Sequence, residues 1–298
     1  MATQVRHSTG IDQLDEKLGG GLLPGTLTVV VGATGVGKTQ LGIQFANAGL
    51  AQEGRRGVVF DMGARGDSQG HSEYAQRIFD WTMSKVSGDQ MIKLDSFFVA
   101  DRNHGDYFHL FDYSGRRVTK RDLDFDQWQQ WQAELNAKLR SAIAFFYGNC
   151  LHGVRRFVVD GIEPTDRPHE SIQFNLFEYV YHQVIRKDSE WVARDLFREA
   201  YRHNAADAAT HAYDAASTSC LLFVTSHDAM LDDMIVRPLE EGDALANANT
   251  LIYLGKIREG NRIERGLYIA KHRGSACDNQ IARYHIDDAG IQIDQQPR

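Results

Sequence analysis

Only three cysteines occur in the 298 residues, Cys150, Cys220 and Cys277. They lie far apart in no CxxC or Cys/His spacing, which argues against a disulfide framework and against a zinc site of the usual patterns. No apolar run approaches the roughly 18 residues that span a bilayer, and the opening "MATQVRHSTG" lacks the apolar core of a secretory leader. The expectation is a soluble cytoplasmic protein with no membrane contact. An excess of positive charge is missing too. The formal net charge is −7, so broad binding along DNA through counterion release is not favoured, and nucleic acid would need a local basic patch. Internal repeats and low-complexity linkers are absent. Residues 1–298 therefore read as one domain, and 42% apolar composition allows a sizeable core.

What is present begins with four β-branched or aromatic runs: "LTVVVGA" at 27–33, "GVVFDM" at 57–62, "RRFVVDG" at 155–161 and "CLLFVTSH" at 220–227. All read as fully buried strands. Between the first two, Leu41, Phe45 and Ala48 recur at helical spacing and Gly54 closes the helix, giving strand, helix, strand in a βαβ unit. In the long interval 64–154, Phe125, Trp128, Trp131, Leu135 and Leu139 mark an amphipathic helix with Asp124 or Asp126 near its start. The tryptophans suit core packing better than base stacking. Residues 171–216 are helical in pattern. From 250 to 298 the rhythm changes to period two, with "REGN" and "DDAG" as hairpin turns. The fold class is α/β, with a mostly parallel central sheet, helical insertions and an antiparallel hairpin extension at the C-terminal side.

The residues that carry chemistry cluster at strand ends. "GATGVGKT", Gly32-x4-Gly37-Lys38-Thr39, follows an apolar strand and precedes a helix, the context a P-loop requires. Its backbone N–H groups and the helix N-terminus suit polyphosphate oxygens; Lys38 reaches the β- and γ-phosphates, and the Thr39 hydroxyl ligates Mg²⁺. The candidate nucleotide-binding set is Gly32, Thr34, Gly35, Val36, Gly37, Lys38, Thr39 and Gln40, with ATP and Mg²⁺ as cofactors. Asp160, at the tip of "RRFVVDG", supplies the second magnesium support. At the tip of "CLLFVTSH", Ser226 or His227 either senses the γ-phosphate and attacking water or caps the strand end.

Together these segments resemble the KaiC/RadA-like branch of the RecA superfamily of P-loop ATPases. "STGIDQLDEKLGGGLLPGTLTVVVGATGVGKTQLGIQFANAGL" is similar to the branch's opening and "YIAKHRGSACDNQIARYHIDDAGIQI" to its close. Residues 64–154 and 165–216 match less well and read as enlargements. The resemblance implies a RecA-like core and a homo-oligomeric ring or filament with ATP between subunits. It also implies that a K-x-R pair, here Lys271 and Arg273, reaches the neighbour's γ-phosphate. Spacing of i, i+2 on a strand puts both side chains on one face and His272 on the other. Without the resemblance, the same pair would serve as edge-strand charges that deter aggregation.

Departures narrow what the resemblance implies. These residues read as one such domain where KaiC has two, with phosphorylatable residues in its second, so autophosphorylation is not expected to carry over; neither the zinc-ribbon pattern nor the K-N-R-F-G motif of RadA occurs in the sequence. The branch usually ends the strand corresponding to "VVFDMGARGD" with glutamates that position water; here Gly63 and Ala64 fall at that point. Asp67, Glu73 and Glu163 are the alternatives. The leading expectation is an Mg·ATP-binding oligomeric switch or regulator with slow or impaired hydrolysis. Its site is built from Lys38, Thr39, Asp160, Ser226, Lys271 and Arg273. The rivals are an active ATPase with a non-standard carboxylate, and a recombination accessory that binds single-stranded DNA through "SGRRVTKR" at 114–121.

Overall fold

The computed structural model describes residues 5–63, 70–87, 97–99, 104–111, 124–164, 171–237, 244–274 and 276–294. Among them, ten strands form one sheet in the order β10-β9-β8-β7-β1-β6-β5-β2-β4-β3. These are β1 Leu27–Gly32, β2 Val58–Asp61, β3 Lys85–Ser87, β4 Tyr107–His109, β5 Arg156–Ile162, β6 Ser219–Thr225, β7 Thr250–Glu259, β8 Arg262–His272, β9 Ala282–Asp287 and β10 Gly290–Ile293. From β7 through β3 every neighbouring pair is parallel, and β8, β9 and β10 are added antiparallel.

The four apolar runs are strands as expected, because each buries both faces. In β1, Val29 and Val31 join one core while Val30 joins the other. A strand covered on both sides has no need of polar alternation. One face is covered by α1 (Asp12–Lys17), α2 (Lys38–Gln52) and α3 (His71–Phe79), through Leu14, Leu41, Phe45 and Ala75. The other is covered by α4 (Phe125–Leu151), α5 (Ile172–Val180), α6 (Ser189–Phe197) and α7 (Tyr201–Thr210).

Three readings change. Residues 64–154 are not only helical: they contribute β3 and β4, whose short length left no period to see. Phe108 of β4 packs on Phe60, with ring centroids 5.5 Å apart, and each such buried ring contributes about 1.5–3 kcal/mol. Strand β7 is not part of an antiparallel appendage, since it pairs parallel with β1 on one side and antiparallel with β8 on the other. In α4, Asp124 is the N-cap, closing a capping box with Gln127. The buried face of α4 comes later than the tryptophans, at Ala142–Tyr147 and Cys150, while Phe125 is exposed. The side chains of Trp128, Trp131 and Leu135 are not among those described.

The start of β5 is pinned by charge. Arg156 is fully buried, donating to Glu53 Oε2 at 2.7 Å, to the Ser8 carbonyl at 2.6 Å, to the Phe45 carbonyl at 2.9 Å and to the Gln52 side chain. This one guanidinium ties the N-terminal segment and the end of α2 to the sheet. Beside it, burial lowers the His7 pKa to about 4, with the Glu53 carboxylate opposing and Arg156 assisting, so His7 is neutral at pH 7.

Candidate P-loop site

The C-terminal ends of β1, β6, β5 and β2 lie side by side, and the loop 32–37 runs from β1 into α2 at that edge. Gly35 and Gly37 both have left-handed φ, +82° and +102°, values that favour glycine. Thr34 and Gly35 are exposed at the loop's crest, Val36 is buried and Gly37 is half-buried. Lys38 is buried, and its Nζ donates to the Gly32 carbonyl at 2.6 Å and the Ala33 carbonyl at 2.8 Å. Burial lowers its pKa to about 8, against the pull of Asp160, so the amine stays mostly charged at neutral pH. Gln40 turns inward, and its Oε1 has no hydrogen-bond partner among the described residues.

Thr39 and Asp160 come together: the Thr39 hydroxyl donates to Asp160 Oδ2 at 3.0 Å. The same oxygen accepts from His71 Nε2 at 2.9 Å, and Oδ1 accepts the Gly161 N–H at 2.7 Å. His71 Nδ1 stands 3.7 Å from Asp61 Oδ2. Burial opposes charge on both Asp160 and His71. The hydrogen bond between them, with the His71 and Lys38 charges, holds the Asp160 carboxyl below its ordinary range. Against the same burial, Asp160 and Asp61 raise His71. His71 thus stands between two acids that both favour its protonated form.

Asp61 answers where the acid of this strand lies. It is 3% exposed, accepts from the Tyr107 hydroxyl at 2.6 Å through Oδ2 and from the Gly63 N–H at 2.7 Å through Oδ1. A β-carbon on Gly63 would sit 3.0 Å from Oδ1, so an acid at 63 would crowd the one already inside the strand. Gln173 fastens the two strand ends, donating to the Met62 carbonyl at 2.7 Å and the Gly161 carbonyl at 2.8 Å. Of the alternative acids, Glu73 is exposed on α3, Glu163 is half-buried with its N–H on Gln173, and Asp67 lies outside the described residues, as does Ala64.

Ser226 lies one residue past β6 with its N–H on the Gly32 carbonyl at 3.1 Å, and its hydroxyl accepts the Asp228 N–H at 3.0 Å. It touches the loop through its backbone, and its side chain caps a turn. His227 is exposed.

Lys271 and Arg273 stand at the opposite end of the sheet. Leu254 of β7 is opposite Gly32, whereas Lys271 is opposite Leu251 and the Arg273 N–H bonds the Asn249 carbonyl. That places them three to five strand residues, roughly 10 to 17 Å, from their own P-loop. Lys271 donates to the Ala246 carbonyl at 2.7 Å; burial and the neighbouring Arg273 lower its pKa. Arg273 is exposed, one residue past β8, and His272 is buried on the opposite side against Thr250. A cavity of about 330 Å³ lined by Phe177, Tyr181, His182, Arg186 and Asn249 opens at that end too.

A family model described as the KaiC ATPase matches residues 7–178, more than half of the chain. The chain belongs to the KaiC ATPase family. The matched stretch contains the P-loop, Asp61, His71 and Asp160; Ser226, Lys271 and Arg273 lie beyond it. The DNA repair protein RadA of Mycobacterium tuberculosis is 50% identical over 50 residues, 17% of this chain and 10% of that protein. The circadian clock protein KaiC2 of Synechocystis is 28% identical over 97 residues, 32% and 16% of the two chains. The circadian clock oscillator protein KaiC of Thermosynechococcus vestitus is 41% identical over 59 residues, 20% and 11%. The chain thus aligns with between 10% and 16% of the length of these relatives. Repair and clock functions belong to those proteins. Membership of the KaiC family gives this chain a RecA-like P-loop ATPase fold with a nucleotide-binding loop.

The donor set fits Mg·ATP. One hydroxyl, one carboxylate and a buried cation meet at the mouth of a glycine loop. Magnesium bound by few protein oxygens and completed by phosphates has that signature. His71 and Tyr107 are the site residues that sequence reasoning missed. A single histidine beyond a loop and a tyrosine in a three-residue strand carry no spacing signal.

Proposed function

We propose that this chain binds Mg·ATP between subunits of a homo-oligomer and works as a nucleotide-dependent switch with slow or negligible hydrolysis. The observation that carries the reading is the commitment of Asp61. The loop, Lys38, Thr39 and Asp160 are assembled for binding. The carboxylate at the end of β2 is meanwhile engaged by Tyr107, Gly63 and His71, which leaves it poorly suited to orient a water. Lys38 and the loop amides hold the phosphates, and Thr39 with Asp160 would hold Mg²⁺, which when bound offsets the phosphate charge. Lys271 and Arg273, far from their own loop, complete the site of a neighbour; a cation supplied in trans contributes about 10³- to 10⁵-fold in rate in comparable systems. Ser226 steadies the base of the loop.

The test is equilibrium binding of a fluorescent ATP analogue together with steady-state turnover and mass in solution. Wild type is expected to bind, to gain mass with ATP and to turn over well below about 1 s⁻¹, the low end of ordinary enzyme rates. Lys38→Ala is expected to lose binding. Mixing Lys38→Ala with Arg273→Ala subunits is expected to restore any turnover that each lacks alone. Turnover above about 1 s⁻¹ that disappears with Glu163→Gln or Glu73→Gln would establish a motor instead. Stimulation by single-stranded DNA at low salt would favour the recombination reading.

A further inference from the structure

The β9–β10 hairpin lies against the back of the P-loop. Tyr284 is buried, and its hydroxyl donates to the Val36 carbonyl at 2.6 Å. Ile286 and Ile291 close over Gly37, where a β-carbon would lie 2.8 and 3.2 Å from their Cδ1 atoms. Two turns along α2, Gln44 brackets the main chain of Ile291, accepting its N–H at 2.8 Å and donating to its carbonyl at 3.2 Å.

The Val36 carbonyl and the Gly37 N–H belong to one planar trans peptide, so they point in opposite directions. Holding the carbonyl toward Tyr284 therefore turns the Gly37 N–H away from the hairpin. The glycines on either side of Val36 have φ of +82° and +102°, and glycine rotates at little steric cost. Unanchored, this peptide would flip readily, and a flipped peptide presents an oxygen where a phosphate needs a donor. A buried carbonyl without a donor is itself unfavourable. Burial drives the Tyr284 phenol far above its usual range, with Arg265 opposing, so it remains a donor at any pH the fold meets.

We propose that Tyr284 is a positioning residue for the nucleotide: through the Val36–Gly37 peptide, the C-terminal hairpin sets the phosphate-binding loop. Nucleotide occupancy and the seating of β9 and β10 are then coupled in both directions, since linkage is reciprocal. The inference rests on the nucleotide-binding reading above and adds to it a control element outside the stretch that the family model matches.

The test uses the full chain with Tyr284→Phe, which removes one hydroxyl and keeps the ring. As a control, His285→Ala alters an exposed hairpin side chain paired with Asp294. Two quantities are read: affinity for a fluorescent ATP analogue, and hydrogen exchange of the nucleotide-free loop, residues 32–39. Tyr284→Phe is expected to bind roughly three- to tenfold more weakly, the worth of one buried hydrogen bond, and to exchange faster in the loop. His285→Ala should do neither. Binding within twofold of wild type with unchanged exchange overturns the inference, and so does an equal loss in His285→Ala. If wild type binds no nucleotide, the proposed function falls and exchange alone decides the brace, unchanged exchange overturning it.

Discussion

At the start of β5, Arg156 is surrounded by acceptors that satisfy it: a carboxylate, two main-chain carbonyls and an amide. Four residues later, near the finish of the same strand, Asp160 and Asp61 share a single histidine, His71, which stands between the two acids. Both clusters are buried, so desolvation acts on both. They differ in partners: the first joins one guanidinium to one carboxylate and neutral acceptors, and the second sets two acids against His71 and the nearby Lys38 amine. A matched cluster serves the fold. The second gathers its acids at the mouth of the phosphate-binding loop, where the proposed Mg²⁺ would meet Asp160.

The largest effect should come from breaking the matched end. Arg156→Met leaves the partly buried Glu53 carboxylate and the Ser8 and Phe45 carbonyls without their donor, and loss of about 3 kcal/mol in chemical denaturation is expected, with nucleotide affinity of the folded fraction little changed. An equal loss of affinity would end the division of labour between the two ends. Next comes Asp160→Asn. Removing one of two crowded carboxylates leaves His71 with Asp61, so the stability cost should stay within about 1 kcal/mol. The Mg²⁺-dependence of ATP-analogue binding should fall by tenfold or more, as measured by titration with and without the ion. A stability loss as large as that of Arg156→Met would place both clusters in the same structural role.

The smallest and most discriminating effect is on pH dependence, because the two histidines have opposite signs. His71 has its pKa raised on folding, so its stabilisation is complete below about 6.5 and is lost as pH rises through the folded value. His7 has its pKa lowered to about 4, so stability is present above about 6.5 and is lost as pH falls toward 4. Unfolding free energies of nucleotide-free, metal-free protein between pH 5 and 8 check this. His7→Gln should flatten the acid side and His71→Gln the neutral side. A common direction for both variants would show that one of the two charge states is wrong.

The P-loop was legible because its chemistry is contiguous: six loop residues, a lysine and a threonine stand together in the chain, flanked by a strand and a helix. Asp160 was legible by its place at the tip of an apolar run. The end of "VVFDMGARGD" was not. The sequence shows glycine where an acid is customary, but the reason lies in Asp61 filling that space, and that requires Tyr107 and His71, 46 and 10 residues away. The parallel pairing of β7 was hidden in the same way, since a strand buried on both faces and paired on both edges can begin a run that looks like a hairpin.

By itself, the sequence determined the layered α/β fold and the existence of a phosphate-binding loop, because fully apolar strands and a glycine-rich turn are local choices that backbone sterics and burial enforce. The tertiary structure alone decided which acid stands at the end of β2 and what it holds. It also decided that Lys271 and Arg273 stand at the strand ends away from their own loop and that Tyr284 holds the loop from behind. Those outcomes depend on register and on contacts between residues tens to hundreds of positions apart. No local propensity encodes such contacts; the energy that fixes them is the burial of charge and hydrogen-bonding groups that must find partners once water is gone.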